Sequence, residues 1–373
     1  MSIKYAMLDP PGFFIKEELD ARGWQQRDLG FVLGMSEQQL SRILSGRQAI
    51  TPDLARQLGD AFDVPADFFA NLQKQYDLSR AKDPDPAIRT RASLQSRFPV
   101  REMVRRGWIE EADPALLELQ VARFFEVESL EEAPRYGMAA KRAHYNEDPP
   151  GQVVWLFRVR QLARQLKAKA YSESKLRSLL PQLRPLMIDP EAVKEVPNLL
   201  LECGVRLVIV EWLPGTKIDG VCTWLDDENP VIGLSTLHDR LDNFWFVLRH
   251  EIEHVLQGDG KEHAIFDQLG GEGDATSGGT PEQEERANEA AADFCVPRDR
   301  MRSFYDRKYP YISERDVVSF ASIMEVHPAI IVGQLQNMMK RHNYLRKYQV
   351  SIRKHLLETA LSDGFGQVAH ANL

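Results

Sequence analysis

The chain has 373 residues, 43% hydrophobic and 27% charged, the balance of a soluble globular protein long enough for two or three domains. A net charge of −8 argues against a protein that coats nucleic acid without selectivity, while leaving room for a small basic reading face. No apolar run reaches the length of a membrane span and the opening "MSIKYAMLDPPGFF" lacks the apolar stretch of a secretion signal, so a cytoplasmic location and no membrane partner are expected.

Residues 9–73 read as a dense series of short amphipathic helices. "PPGFFIKEELDARGW" sets Phe14, Ile15 and Leu19 at helical spacing, and two further helices lie on either side of Gly34. "TPDLARQLGDAFDV" opens with Thr51 as N-cap and Pro52 at the first helical position, and "PADFFANLQKQYDL" closes the unit.

Inside this series, "QRDLGFVLGMSEQQLSRILSGR" meets the demands of a helix-turn-helix. Gly30 sits where one helix must approach the next, Gly34 is placed to leave its helix with positive φ, and Ser36 with Gln39 makes a capping box. Leu29, Val32, Leu33, Leu40, Ile43 and Leu44 are expected on the inner faces. Glu37, Gln38, Gln39, Ser41 and Arg42 are left facing outward, where Gln suits adenine and Arg suits guanine in a major groove. Gln26, Arg27, Ser45 and Arg47 flank them at positions suited to phosphates, and Ser36 completes the set. The competing reading is a helical hairpin whose polar face is merely solvated. The stretch "ELDARGWQQRDLGFVLGMSEQQLSRILSGRQAITPDLARQLGDAF" resembles the lambda-repressor-like (XRE) domain of HigA-type antitoxins. That resemblance implies a five-helix bundle, working as a homodimer on a palindromic double-stranded operator.

Residues 79–100, charged and broken by proline ("AKDPDPAIRTR"), read as a connector. Residues 101–184 read as helical, with breaks at "EVESLEEAPRYG" and "NEDPPGQ", and "VVWLFRVRQLARQLKAKAY" reads as a strong amphipathic helix. From about residue 188 the pattern changes. "PEAVKEVPNLLLECGV" is a helix ending at Gly204, "RLVIVEWLP" is strand-like, and "DGVCTWLDDENPVIGLS" gives two strands around an Asp-Glu-Asn-Pro turn. "LGGEGDATSGGTPEQ" reads as a flexible loop, and the chain after Pro297 as helical to roughly residue 360, with frayed last residues. Cys203, Cys222 and Cys295, an odd number far apart in apolar stretches, read as buried reduced thiols.

The helix after those strands carries "RHEIEHVLQG". Residues four apart on a helix lie about 40° apart, so His250 and His254 point the same way and can hold one ion. Glu251 lies about 100° round, near enough to reach a water at the ion without ligating it. Zinc held by three side chains acidifies water at the site, and a carboxylate can then take the proton as general base. Leu248, Ile252 and Val255 fall on the opposite face, which predicts a helix buried behind and open toward the metal. The competing reading is a solvated polar face. A third ligand can come from Asp259, Glu262, His263, Asp267, Glu282, Glu284 or Glu285. Glu284 and Asn288, four apart in "PEQEERANEAAADFCVP", face one way, so Glu284 can bind the ion while Asn288 hydrogen-bonds a ligand histidine.

"DGVCTWLDDENPVIGLS", "FWFVLRHEIEHVL" and "EERANEAAADFCVP" resemble the ImmA/IrrE family of zinc metallopeptidases over roughly residues 188–300. The resemblance implies Zn2+ held by His250, His254 and Glu284, with Glu251 catalytic, because the family's ligand glutamate stands three residues before an Ala-Asn or Ala-Asp pair, here Ala287-Asn288. The chain departs from the pattern at Arg286, usually glutamate, at Ala290, usually aromatic, and at Glu253, usually a small residue. "ASLQSRFPVREMVRRGWI" and "FASIMEVHPAIIVGQLQ" resemble the flanking segments of repressor–peptidase fusions, and His327 in the latter reads as structural.

The fold expected is α+β and mostly α. It comprises a lambda-repressor-like bundle over 1–75, a helical connector over 76–187, a zincin-like domain with a small sheet and the HExxH helix over 188–300, and C-terminal helices over 301–373. The function expected is a transcriptional regulator that acts by zinc-dependent limited proteolysis of a repressor or toxin-system partner. The alternative is a HigA-type antitoxin whose zinc site is structural or sensory. A third is a peptidase whose helix-turn-helix only docks protein.

Overall fold

The structure, a computed structural model, describes residues 8–130, 150–267, 279–366 and 369. The chain divides into two compact units, one up to Pro86 and one from Ala87 onward.

The first unit is a bundle of five helices: α1 (Pro11–Arg22), α2 (Gln26–Leu33), α3 (Glu37–Leu44), α4 (Pro52–Phe62) and α5 (Ala66–Arg80). Ile15, Leu29, Leu40, Leu58, Phe62 and Phe69 form its dry centre. Gly34 ends α2 at φ 62°, a left-handed conformation that costs glycine little. Ser36 Oγ accepts the Gln39 N–H at 3.3 Å and Gln39 Oε1 accepts the Ser36 N–H at 3.2 Å, closing the capping box at the head of α3. Thr51 caps α4 in the same way, accepting from Leu54 N–H at 3.2 Å. One expectation fails: Val32 is 48% exposed, and its neighbour Phe31 is 88% exposed. The short helix α2 turns a narrow stripe inward, filled by Leu29, and a residue three places on lies about 60° off that line.

The second unit is built on a mixed five-stranded sheet. Ahead of it run α6 (Pro86–Arg97), α7 (Val100–Arg105), α8 (Pro114–Phe124), α9 (Pro150–Ala163), α10 (Glu173–Leu183) and α11 (Val196–Glu202). Then come β1 (Arg206–Val210), β2 (Gly220–Trp224), β3 (Pro230–Leu234), α12 (Leu241–Gln257), β4 (Ile265–Asp267) and α13 (Pro281–Cys295). The chain continues through α14 (Arg298–Lys308), α15 (Glu314–Met324), α16 (Pro328–Met339) and α17 (Arg353–Leu356) to β5 (Leu361–Asp363). The strand order is β4-β2-β3-β1-β5, with β1 parallel to β3 and β5, and β2 antiparallel to β3 and β4.

Both faces of this sheet are buried, because alternate side chains enter two different cores. Leu207 and Ile209 of β1 join Cys222, Trp224, Ile232 and the helices α10 to α17. Val208 and Val210 join Val221 and Val231 with Met103, Phe124 and Trp155 from the helices α7 to α9. The stretch read as a connector therefore belongs, from α6 onward, to the second unit, with α7 to α9 on one face of the sheet and α10 on the other. Residues 86–97 also form a helix where a proline-broken link was expected, since Leu94 and the following Phe98 find a core to bury in. The same layering corrects the amphipathic reading of residues 153–171. Helix α9 stops at Ala163 and is buried nearly all round, Arg158 included. Arg158 pairs with Asp363 of β5, whose carboxylate also accepts from Trp108 Nε1 at 3.2 Å. That pairing ties α9 to β5, one of the two edge strands of the sheet.

The breaks read around 126–152, the loop of 269–283 and the end of the chain fall largely outside the described residues. The three cysteines are unbridged and buried. Among the described residues no single helix is long and apolar enough to cross a membrane.

Candidate metal centre and nucleic-acid interface

Helix α12 is buried along Leu248, Ile252 and Val255, as its periodicity requires, and packs on β2 and β3. Its His250 and His254 are fully buried, because α13 covers the face that carries them. The two Nε2 atoms face one another at 3.1 Å. Glu284, in the first turn of α13, brings Oε2 to 3.4 Å from His250 Nε2 and Oε1 to 3.8 Å from His254 Nε2. Ligands bonded at about 2.0–2.1 Å in a tetrahedron lie roughly 3.3 Å from one another, so the three edges are those of a zinc-sized site. The donor set agrees: two imidazole nitrogens aimed at a shared point with a carboxylate beside them form an acceptor-rich cluster that a cation satisfies at once.

Glu251 is fully buried against β2, where Gly220 leaves the room for it; a Cβ at Gly220 would fall on the Glu251 carboxylate. Gly279, on the approach to α13, gives the Glu284 carboxylate the same clearance. Of the other candidates, those whose side chains are described stand outside the trio. Glu262, His263, Glu282 and Glu285 are exposed, and the side chain of Asp267 lies outside the described residues. Asn288 is half-buried one turn beyond Glu284 and makes no hydrogen bond to either histidine among the described residues. His327 is the N-cap of α16, its Nδ1 accepting from Ala329 N–H at 3.1 Å, and burial holds its pKa below the ordinary value.

The contact foreseen for Asn288 is made by Asp259. Gly258 ends α12 in the left-handed conformation and the chain turns back, Asp259 N–H donating to His254 O at 2.9 Å. Asp259 Oδ2 then lies 3.0 Å from His254 Nδ1. Gln283 Nε2 donates to Asp259 Oδ1 at 2.6 Å and Arg286 donates to Oδ2 at 2.8 Å. Burial opposes the charge on Asp259, but the bonds from His254 and Gln283 and the charge of Arg286 outweigh it and keep the pKa below its ordinary value. Glu253 is occupied elsewhere: it pairs with Arg249 at 2.8 Å and accepts from Gln257 at 2.7 Å. Burial opposes its ionisation too, and those two bonds, with the charges of Arg249 and Arg286, keep its pKa low. The two charged departures from the metallopeptidase pattern thus have partners outside the ligand trio.

In the first unit, Glu37, Gln38, Gln39, Ser41 and Arg42 are exposed, while Leu40, Ile43 and Leu44 face inward. Arg27 and Arg47 are exposed as well, and none of these three arginines makes an ion pair among the described residues. Ser36 and Gln39 are tied to each other in the cap, Gln26 is half-buried and donates to Glu37 O at 3.3 Å, and Ser45 Oγ donates to Arg42 O at 3.2 Å. The bare outward face is therefore centred on Gln38, Ser41 and Arg42.

Residues 15–69 match the family described as Helix-turn-helix, and residues 205–327 match the one described as IrrE N-terminal-like domain. A curated protein of Dichelobacter nodosus, Virulence-associated protein A', is 34% identical over 71 residues, which are 19% of this chain. The chain spans 62% of the length of that relative. Among solved structures, an addiction module antidote protein of the HigA family from Coxiella burnetii is 26% identical, covering 24% of this chain and 91% of that one with a TM-score of 0.19.

Proposed function

We propose that this chain, which carries a helix-turn-helix domain ahead of an IrrE N-terminal-like domain, is a cytoplasmic transcriptional regulator that binds operator DNA as a homodimer and controls expression by zinc-dependent limited proteolysis of a repressor or other partner protein. The observation that carries this reading is the convergence of His250 Nε2, His254 Nε2 and the Glu284 carboxylate on one point. Those three side chains would hold the ion. Zinc, when bound, supplies Lewis acidity that polarises a peptide carbonyl and lowers the pKa of water.

Glu251 follows His250 in the chain and sits in a dry seat against β2, where it would take a proton from the attacking water and return it to the leaving amine. Among the described residues three side chains gather there, and a catalytic zinc site held by three protein ligands keeps a position for substrate. On the DNA side, Gln38, Ser41 and Arg42 would read base edges and Gln26, Arg27 and Arg47 would contact phosphates. Ser36 and Gln39 would act through the cap that fixes the start of the reading helix.

The test is Glu251→Gln in the full chain, assayed against helix-turn-helix repressors co-expressed with it. Cleavage should disappear while zinc content and operator binding persist; cleavage at the wild-type rate sinks the mechanism. The complete burial of both histidines also suits a metal that staples or senses without turnover, as in an antitoxin. A wild-type chain that binds zinc and operator but cuts no partner would establish that second reading.

A further inference from the structure

We infer that Asp259 is a positioning residue for His254, held in place by Arg286 and Gln283, so that contacts outside the ligand trio set the affinity of the site for a divalent cation. The inference rests on the reading of His250, His254 and Glu284 as a metal site.

A carboxylate only accepts hydrogen bonds, so the 3.0 Å contact between Asp259 Oδ2 and His254 Nδ1 assigns the ring proton to Nδ1. The Nε2 lone pair is then left facing His250 Nε2 and Glu284. Asp259 is itself fixed from three directions. Its N–H donates to His254 O at 2.9 Å, its carbonyl accepts from Trp224 Nε1 of β2 at 2.8 Å, and its carboxylate takes the bonds from Gln283 and Arg286. The Asp259 side chain is only 9% exposed, and a carboxylate so placed stays charged only if donors surround it.

The two donors stand on either side of Glu284 along α13. Gln283 is further pinned because its Oε1 accepts the Thr280 N–H at 2.7 Å in the capping box of that helix. One helix therefore delivers the third ligand and braces the group that orients the second. A shift of α13 would disturb both together, which couples the histidine pair to Glu284 through a part of the protein that never touches the ion.

The experiment is a competition titration of the full-length chain with zinc against a chromophoric chelator, with the absorption spectrum of the cobalt-loaded protein as a second readout. Asp259→Asn and Arg286→Ala should each weaken zinc binding by about 10- to 100-fold and alter the cobalt bands. Arg286→Lys should recover most of the loss, and Gln283→Ala should give a smaller one. Asp259→Asn combined with Arg286→Ala should bind zinc no more weakly than Asp259→Asn alone, because the two residues act in series. Far-UV circular dichroism and melting of the metal-free proteins would show that the variants fold. Zinc affinities within about twofold of wild type in the folded variants, or fully additive losses, would overturn the inference while leaving the metal site standing. Failure of the wild-type chain to bind zinc would overturn it together with the reading beneath it.

Discussion

Gly220 of β2 and Glu251 of α12 share a single space: the strand residue has no side chain, and the helix residue's carboxylate fills the gap. Glycine is required there for room, since Gly220 pairs regularly with Leu234 and Asp267 in the sheet.

Gly220→Ala should therefore push the Glu251 carboxylate off its seat. Overpacking of this kind costs about 1–3 kcal/mol, to be read from urea unfolding. Partner cleavage should fall by at least about tenfold, while zinc content stays that of the wild type, because no ligand atom moves. Full cleavage by Gly220→Ala would show that the position of Glu251 does not matter.

Metal removal should be visible in stability. Zinc at about a hundred times its Kd adds about 2.7 kcal/mol to the state that binds it. A chelator should lower the melting temperature of the wild-type chain, and His254→Ala should melt at the same temperature with or without it. Wild-type melting indifferent to both zinc and chelator would remove the ion from the account.

Arg42 and Arg47 should behave differently on DNA. Arg42→Ala should cost about 1–3 kcal/mol at the operator and relax its sequence preference. Arg47→Ala, at a position suited to phosphate, should weaken binding to all sequences and reduce the slope of affinity against salt by about one. Gel shifts with the chain's own upstream DNA at several salt concentrations measure both. No shift at all would mean that this helix-turn-helix docks protein.

Acid should loosen the attachment of α7. The hydrogen bond from Arg105 lowers the pKa of Glu102 from 4.5 to about 2, burial working against it and the bond and charge of Arg106 helping. Arg106 in turn donates to Glu211 O at 2.9 Å and Trp212 O at 2.7 Å, just beyond β1. A carboxyl whose folded pKa lies below the unfolded value stabilises fully above the unfolded value and loses the effect as pH falls through the folded one. Glu102→Gln should thus unfold at slightly lower urea at pH 7, with the gap to wild type closing between about pH 4.5 and 2. A gap independent of pH would mean that packing, not charge, is what the substitution removes.

Both motifs were legible in the sequence because the residues that define them are near one another along the chain. Helical period alone puts His250 and His254 on one line with Leu248, Ile252 and Val255 behind them, and the Ser36 cap and Gly34 turn are matters of a few dihedral angles. Glu284 could be named only among several acidic neighbours or through resemblance, since periodicity does not say which turn of α13 meets which turn of α12.

Tertiary structure decided the rest. After Arg206, β1 reads "LVIV", apolar at every position, so its composition announces burial on both faces without saying that α6 to α9 provide one of them. Asn288 lies on the Glu284 side of α13 by spacing, yet Asp259 reaches His254 first because Gly258 folds the chain back at the end of α12. Patterns within a helix or a turn follow from local backbone geometry, which the sequence carries by itself. The meeting of groups far apart in the chain depends on how whole faces pack, and no window of the sequence contains both faces.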